Sequence, residues 1–197
     1  MRSTFKIQFA TANHAETCRL MYEYANGYLA TNDNAAKDEK ALAAGRRIRN
    51  GEVTKKNYLI IFDWKLEAFI RRKLPHIMTA RDSVAEEDIQ EVLSIALRAQ
   101  RDRTIIAVLM ALPAVKLRVA SAIAAMIWPE RYTVMDVRAL GGLGAPNTAG
   151  NIDTYLEYVA ACKELAKRYG VDLRTLDRAL FHWSELQSKA RKRTRYI

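Results

Sequence analysis

The chain is predicted to be all-α, on three observations. Apolar residues recur at three- and four-residue spacing through most of its length. Capping residues stand before these periodic segments, and glycine or proline after them, at ordinary helix lengths. Period-2 alternation is confined to Phe5-Lys6-Ile7-Gln8-Phe9, too brief to build a sheet. About nine or ten helices are expected.

Taken in order, residues 1–12 read as a short extended or disordered lead. Asn13 opens a helix to about Leu29, with Leu20, Met21, Tyr24 and Tyr28 as its apolar stripe. Asn32-Asp33-Asn34 breaks it. A second helix, Ala35 to about Asn50, is mostly polar and ends at Gly51. It is expected on the surface, with Lys37, Lys40, Arg46, Arg47 and Arg49 facing solvent or touching phosphate.

Thr54 starts a third helix, whose apolar cluster runs from Tyr58 to Trp64 and meets Lys65 at once. Arg71-Arg72-Lys73 precede Leu74-Pro75 as a loop or helix end. Ser83-Val84-Ala85-Glu86 reads as a capping box opening an amphipathic helix to about Ala99. Its buried stripe is Ile89, Val92, Leu93, Ala96 and Leu97. Thr104 to Ala111 forms the next helix, closed by Leu112-Pro113 because proline cannot continue it.

Ala114-Val115-Lys116 is then a turn. From Leu117 the apolar spacing is helical again, and the small residues Ala120, Ala122, Ala124 and Ala125 let another helix or a backbone approach closely. Pro129 ends that helix. Asp136 stands as N-cap before Val137-Arg138-Ala139-Leu140, with Gly141, Gly142 and Gly144 beyond. Residues 145–151 form a Gly/Pro/Asn-rich loop. Asp153 to Tyr169 is a helix with Tyr155, Leu156, Val159, Cys162, Leu165 and Ala166 inward, closed by Gly170. Asp172 caps the last helix, and residues 189–197 are a basic tail that grips phosphates or frays into solvent.

Composition narrows the function. The 197 residues, 50% of them hydrophobic, suit one soluble globular domain or a domain with a lobe. The domain is expected to span 1–197, with N-terminal helices over 1–50 and a core over 51–188. A formal net charge of +10 favours a polyanion partner, nucleic acid before a membrane surface. No run is long enough to span a bilayer and no signal-peptide layout is present, so a cytoplasmic protein is expected. Cys18 and Cys162 both fall in helical, apolar patterns and read as buried thiols of a reducing compartment. His14, His76 and His182 are isolated and show no metal spacing. Neither a P-loop, a GxGxxG motif nor a nucleophile elbow occurs.

One segment carries a family signal. Leu112, Pro113 and Val115, then Val119-Ala120, then Val134-Met135-Asp136-Val137-Arg138 resemble the signature of the helix-hairpin-helix DNA glycosylases. That signature is a hairpin L-P-G-V-G, a small-residue helix, and a loop ending in V-D. The spacing from hairpin to aspartate agrees. The resemblance extends over roughly residues 50 to 185, with its matches concentrated in this segment. It implies an 8-oxoguanine-glycosylase-like fold, and two helical lobes are expected with a groove between them and Asp136 at its mouth.

Two departures from the pattern bear on chemistry. Ala114 and Lys116 replace the hairpin glycines, which in the family take positive φ and admit a phosphate to the backbone N–H groups. Arg118 stands where the glycosylases that also cut the backbone carry a lysine. A guanidinium stays protonated and forms no Schiff base. The resemblance therefore implies a monofunctional enzyme without lyase activity, using water as nucleophile, with no cofactor. Only two cysteines are present, too few for the four-cysteine iron–sulfur cluster of some relatives.

By the same resemblance, Asp136 is the catalytic carboxylate beneath a sugar that gains positive charge as it loses its base. On its own, an aspartate in that place is an N-cap. Lys116 and Arg118, with the backbone of Ala114, Val115 and Leu117, would hold a phosphate of duplex DNA. A bacterial branch of the family has a tryptophan-lysine pair at the end of the matching helix, and it includes a phage-defence enzyme acting on hypermodified cytosine. This makes Trp64 and Lys65 candidates for the wall of a pocket that takes a flipped base; a core tryptophan beside a solvated lysine is the alternative. Asn147 is a candidate base-reader, or a plain turn residue. The expected partner is double-stranded DNA with a modified or damaged base, bound by a monomer, in phage defence or base-excision repair. Two further readings stay open: a non-catalytic hairpin module that binds DNA, and a helical protein adaptor.

Overall fold

A computed structural model of the chain describes residues 5–31, 33–147 and 150–194. Met1 to Thr4 of the lead, Asn32 of the first break, Thr148 and Ala149 of the loop, and the end of the basic tail from Arg195 lie outside the described residues. The described residues form ten helices and no strand. These are α1 (His14–Leu29), α2 (Asn34–Arg49), α3 (Lys55–Arg71), α4 (Pro75–Ser83), α5 (Glu86–Arg98), α6 (Asp102–Leu109), α7 (Leu117–Ile127), α8 (Val137–Gly142), α9 (Ile152–Tyr169) and α10 (Leu173–Thr194). They gather into two compact units. One comprises Met1–Ala35, Thr133–Ala149 and Glu157–Ile197; the other comprises Ala36–Tyr132 and Gly150–Leu156.

In the first unit, α10 packs on α1 and α8. Asn13 caps α1 by accepting from the Glu16 N–H at 3.2 Å, and Asp172 caps α10 by accepting from Thr175 at 2.7 Å. The brief alternation near the N-terminus has a structural cause. Ile7 and Phe9 are buried while Lys6 and Gln8 are exposed. The backbone N–H groups of Lys6 and Gln8 donate to the carbonyls of Leu143 and Gly142, at 3.1 and 2.9 Å. The segment is extended because it satisfies the end of α8.

In the second unit, α7 is the core. Every one of its residues except Arg118 is buried. Helices α3 and α6 pack on it. The backbone of α2 also comes close: a Cβ added at Gly45 would overlap the carbonyl oxygen of Met126. Beyond α7, Asp102 at the start of α6 accepts from the Tyr132 hydroxyl at 2.6 Å and from Arg131 Nε at 2.7 Å, which fixes the chain after Pro129.

Five expectations need correction. Helix α2 is not merely a surface helix, because Asp38, Ala41, Ala44, Gly45 and Ile48 form a buried inner face. Ser83 does not cap α5. It is the last residue of α4, the N-cap of α5 is Ala85 without a side-chain bond, and Glu86 Oε1 instead accepts from the Lys55 N–H at 3.3 Å. Residues 75–83, given no helix in the sequence reading, form α4, with Pro75 in its first turn. Cys18 is half-buried, although Cys162 is fully buried, and both thiols are free. The helix before the hairpin also starts earlier than expected, at Asp102, and stops at Leu109.

The close crossing at Gly45 makes a test in which two effects have opposite sign. Helix propensity alone favours alanine over glycine by about 1 kcal/mol. Overpacking costs about 1–3 kcal/mol and more where the neighbour is backbone. Gly45→Ala is therefore expected to destabilise the chain by about 2 kcal/mol or more, lowering the thermal midpoint by roughly 4–8 °C in circular dichroism.

Candidate functional site

The hairpin turn lies between α6 and α7. Val115 N–H donates to the Leu112 carbonyl at 3.1 Å, closing a turn with Pro113 second and Ala114 third. Ala114 has φ +57°, the left-handed conformation that turns of this kind give to glycine at the third position. The geometry expected of a glycine is thus present with alanine in place, at a cost of about 1–2 kcal/mol. Val115 and Leu117 are buried and anchor the turn, whereas Lys116 is exposed and Arg118 half-buried. Lys116 is the N-cap of α7 and makes no side-chain capping bond, and its carbonyl accepts from Val119 and Ala120, both at 2.9 Å. The turn therefore brings two cationic side chains to the positive end of a helix dipole, a combination that attracts phosphate.

Asp136 belongs to the first unit. Thr133, Val134 and Met135 before it are buried, and the Tyr158 hydroxyl donates to the Val134 carbonyl at 3.0 Å. Asp136 itself is half-buried and is the N-cap of α8, its Oδ1 accepting from the Arg138 N–H at 3.0 Å. Arg138 reaches α10, where its Nη1 donates to Ser188 Oγ at 3.2 Å and its guanidinium sits 5.8 Å from the Phe181 ring centre. Added Cβ atoms would lie 2.8 Å from Leu180 O at Gly142 and 2.8 Å from Ser184 Oγ at Gly141. Both ends of α8 are thereby fixed, and so is the direction in which the carboxylate points. Asn147 is exposed in the loop that follows.

Trp64 and Lys65 lie on α3 in the second unit, both half-buried. Trp64 Nε1 donates to Asp38 Oδ1 at 3.0 Å, and Asp38 is wholly buried. Trp64 lines an open cleft of about 280 Å³ together with Lys37, Lys40, Ile60, Asp63 and Glu67. Lys65 is not among the lining residues. Charges at the rim are largely paired. Lys37 bridges to Glu67 at 2.8 Å, and Arg81 grips both oxygens of Asp63 at 2.8 Å, a bidentate bond that holds the guanidinium even more firmly protonated. Sequence reasoning missed Asp38 and Asp63 here, and it gave Lys40 to a face for solvent or phosphate rather than to this cleft. The available signal was the helical spacing of Asp38 with Ala41, Gly45 and Ile48, which marks an inner face.

The structure therefore runs the hairpin residues 114–118 from the turn into the first residues of α7, and it places Trp64 on a cleft of the same unit. Asp136 and Asn147 stand in the other unit. The chain matches no protein-family model, no curated protein and no solved structure.

Relief of the left-handed strain is measurable. Ala114→Gly removes about 1–2 kcal/mol of backbone strain and adds about 0.5–1 kcal/mol of unfolded-state entropy, so a net gain of up to about 1.5 kcal/mol is expected, read as a higher urea midpoint. Ala114→Val is expected to lower the same midpoint.

Proposed function

We propose that the chain is a monofunctional DNA glycosylase of the helix-hairpin-helix type: a cytoplasmic monomer that flips a modified or damaged base from duplex DNA and hydrolyses its N-glycosidic bond. The observation that carries this reading is the turn at Leu112–Val115, where Ala114 takes a glycine backbone conformation in the slot where the family motif has glycine. An accidental Leu-Pro-x-Val would have no reason to pay that strain. With Val115 and Leu117 anchoring it, the turn presents Lys116 and Arg118 to a DNA phosphate.

Asp136 supplies the chemistry. As the base leaves, positive charge develops on the sugar, and a fixed carboxylate beneath it stabilises that charge and orients the attacking water. The first turn of α8 favours the ionised form. In this reading Trp64, on the cleft of the second unit, stacks on the flipped base, and no cofactor takes part. Arg118 forms no Schiff base, so the product is an abasic site in an uncut strand. Among the described residues no helix is long and apolar enough to cross a membrane. The formal charge of +10 suits a phosphate backbone.

A second reading is favoured by one observation. Asp136 already has a structural task as the N-cap of α8, which suits a hairpin module that binds DNA without cutting it. Asp136→Asn separates the two, because asparagine caps a helix about as well as aspartate but carries no charge. Incubated with a panel of damaged and modified duplexes, the native chain is expected to release free bases detectable by mass spectrometry and to leave alkali-labile sites. Asp136→Asn should keep its fold and DNA affinity while release falls at least about 100-fold. Binding without release by the native chain would establish the module instead.

The grip has its own signature. Lys116→Ala is expected to weaken binding evenly across sequences and to lower the slope of log affinity against log salt by about 1. Borohydride should trap no covalent adduct.

A further inference from the structure

The basic run Arg71-Arg72-Lys73 has no part in the grip proposed for the hairpin or the chemistry proposed for Asp136. It forms the corner between α3 and α4, within the second unit. The corner is a helix stop of the kind that glycine usually serves. Lys73 N–H donates to the Ile70 carbonyl at 2.8 Å, and Leu74 N–H donates to the Phe69 carbonyl at 3.2 Å, which ties off the end of α3. Lys73 follows the C-cap Arg72 and takes φ +52°, the left-handed conformation that favours glycine. A lysine stands where glycine would be relaxed, which points to a use for its charge.

All three cations are exposed. No aspartate or glutamate occurs from Ala68 to Arg81. The nearest acids along the chain are engaged elsewhere: Glu67 bridges to Lys37 at 2.8 Å, and Asp82 to Arg81 at 3.3 Å. Among the described residues, none of Arg71, Arg72 and Lys73 enters an ion pair. One cation in the last turn answers a helix dipole; three in a row exceed what it uses. Phe69 stands three residues before Arg72, so the two are neighbours on the helix surface. It is 43% exposed, and among the described residues it is the only large apolar side chain of α3 or α4 so open to solvent. Such a stop accounts for an apolar residue at 69 facing one at 74, but not for a ring left this open.

We propose that the α3–α4 corner binds unpaired nucleotides, a base stacking on the Phe69 ring while Arg71, Arg72 and Lys73 hold the phosphates beside it. A phenyl ring stacks on any base, but it reaches the face of a base only when that base is out of the duplex. The surface therefore selects single strands over paired ones and reads no sequence. The three cations add affinity by releasing counterions from the strand. An anionic membrane also attracts a basic run, but binding there scales with the apolar area inserted, and a single ring offers little. None of these residues is assigned to the duplex grip or to base excision, so the surface stands or falls independently of the glycosylase reading.

Fluorescence anisotropy with the full chain tests this, using labelled oligothymidylate and oligouridylate of about fifteen nucleotides and a duplex of the same length. Phe69→Leu keeps an apolar residue in the turn but has no ring to stack. It is expected to lower single-strand affinity at least about fivefold and to leave duplex affinity unchanged. Lys73→Gly separates binding from folding, because it relaxes the backbone: the thermal midpoint should hold or rise while single-strand affinity falls. The triple variant Arg71→Ala, Arg72→Ala, Lys73→Gly should lower the slope of log affinity against log salt by about 2. Binding of either oligomer with these losses bears the proposal out, and the tighter of the two names the sugar. Absence of single-strand binding, or an affinity that Phe69→Leu and the triple variant leave unchanged, overturns it. So does a loss through Lys116→Ala instead, which would put the strand on the hairpin. Binding to vesicles of about one-third phosphatidylserine that the triple variant abolishes, with strand affinity intact, would make the corner a membrane contact.

Discussion

Helix α7 has almost no face for water, and the second unit is built to satisfy that constraint. With ten of its residues buried and only Arg118 partly exposed, it has to be enclosed by other helices. Alanines at 120, 122, 124 and 125 keep the helix thin, so α3 and α6 pack on it and the backbone of α2 reaches Met126 at Gly45. The burial fixes the register of α7 to within a fraction of a turn, since rotation would carry Arg118 inward. The hairpin ahead of it inherits that rigidity. Lys116 and Arg118 point where they do because Val115 and Leu117, on either side of Lys116, are locked in the core.

Strain at Ala114 is informative for the same reason. A left-handed alanine survives only where the surroundings over-determine the backbone. Here Leu112 and Val115 are buried on either side of the turn, and Pro113 presets its second position. Glycine would relax the turn, yet alanine adds a methyl beside the site where a phosphate would come. In the proposed DNA-binding reading, the Lys116 charge would stand in for the fixed N–H groups of a glycine turn, trading geometric selectivity for longer reach.

Local signals were legible in the sequence and relational ones were not. The caps at Asn13, Thr54, Asp136 and Asp172 were readable because a capping side chain bonds only to residues two or three places on. The glycine end of α2 was readable too: Gly51 has φ +97°, and Glu52 N–H donates back to Arg47 at 2.9 Å. The false capping box shows the limit. Ser83 and Glu86 have the right spacing, but Ser83 is taken up by α4 and Glu86 by Lys55, which the sequence places far away. Asp38 sits in a helix whose polar composition predicts a surface position, and its partner, Trp64, lies 26 residues on. Of the candidate site, the hairpin and the N-cap were visible in advance, whereas the cleft at Trp64 depends on how α2 meets α3.

The N-cap bond of Asp136 is made through a single oxygen. A carboxylate offers two oxygens and about four lone-pair directions, and the Arg138 N–H takes one of them at Oδ1. What the cap removes is rotation of the side chain, which an unfixed carboxylate would need to lose on meeting a sugar. Helix α8 has only six residues, so its dipole adds little beyond the first turn. Position is what this helix contributes. That position is set at its other end, where Gly142 rests against the backbone of Leu180 and Gly141 against Ser184. A side chain at Gly142, which meets backbone, would push α8 off α10 and turn the carboxylate with it, whereas at Gly141 the Ser184 hydroxyl can swing aside. The glycines that end the segment are therefore as much a part of the carboxylate's geometry as the residues that touch it.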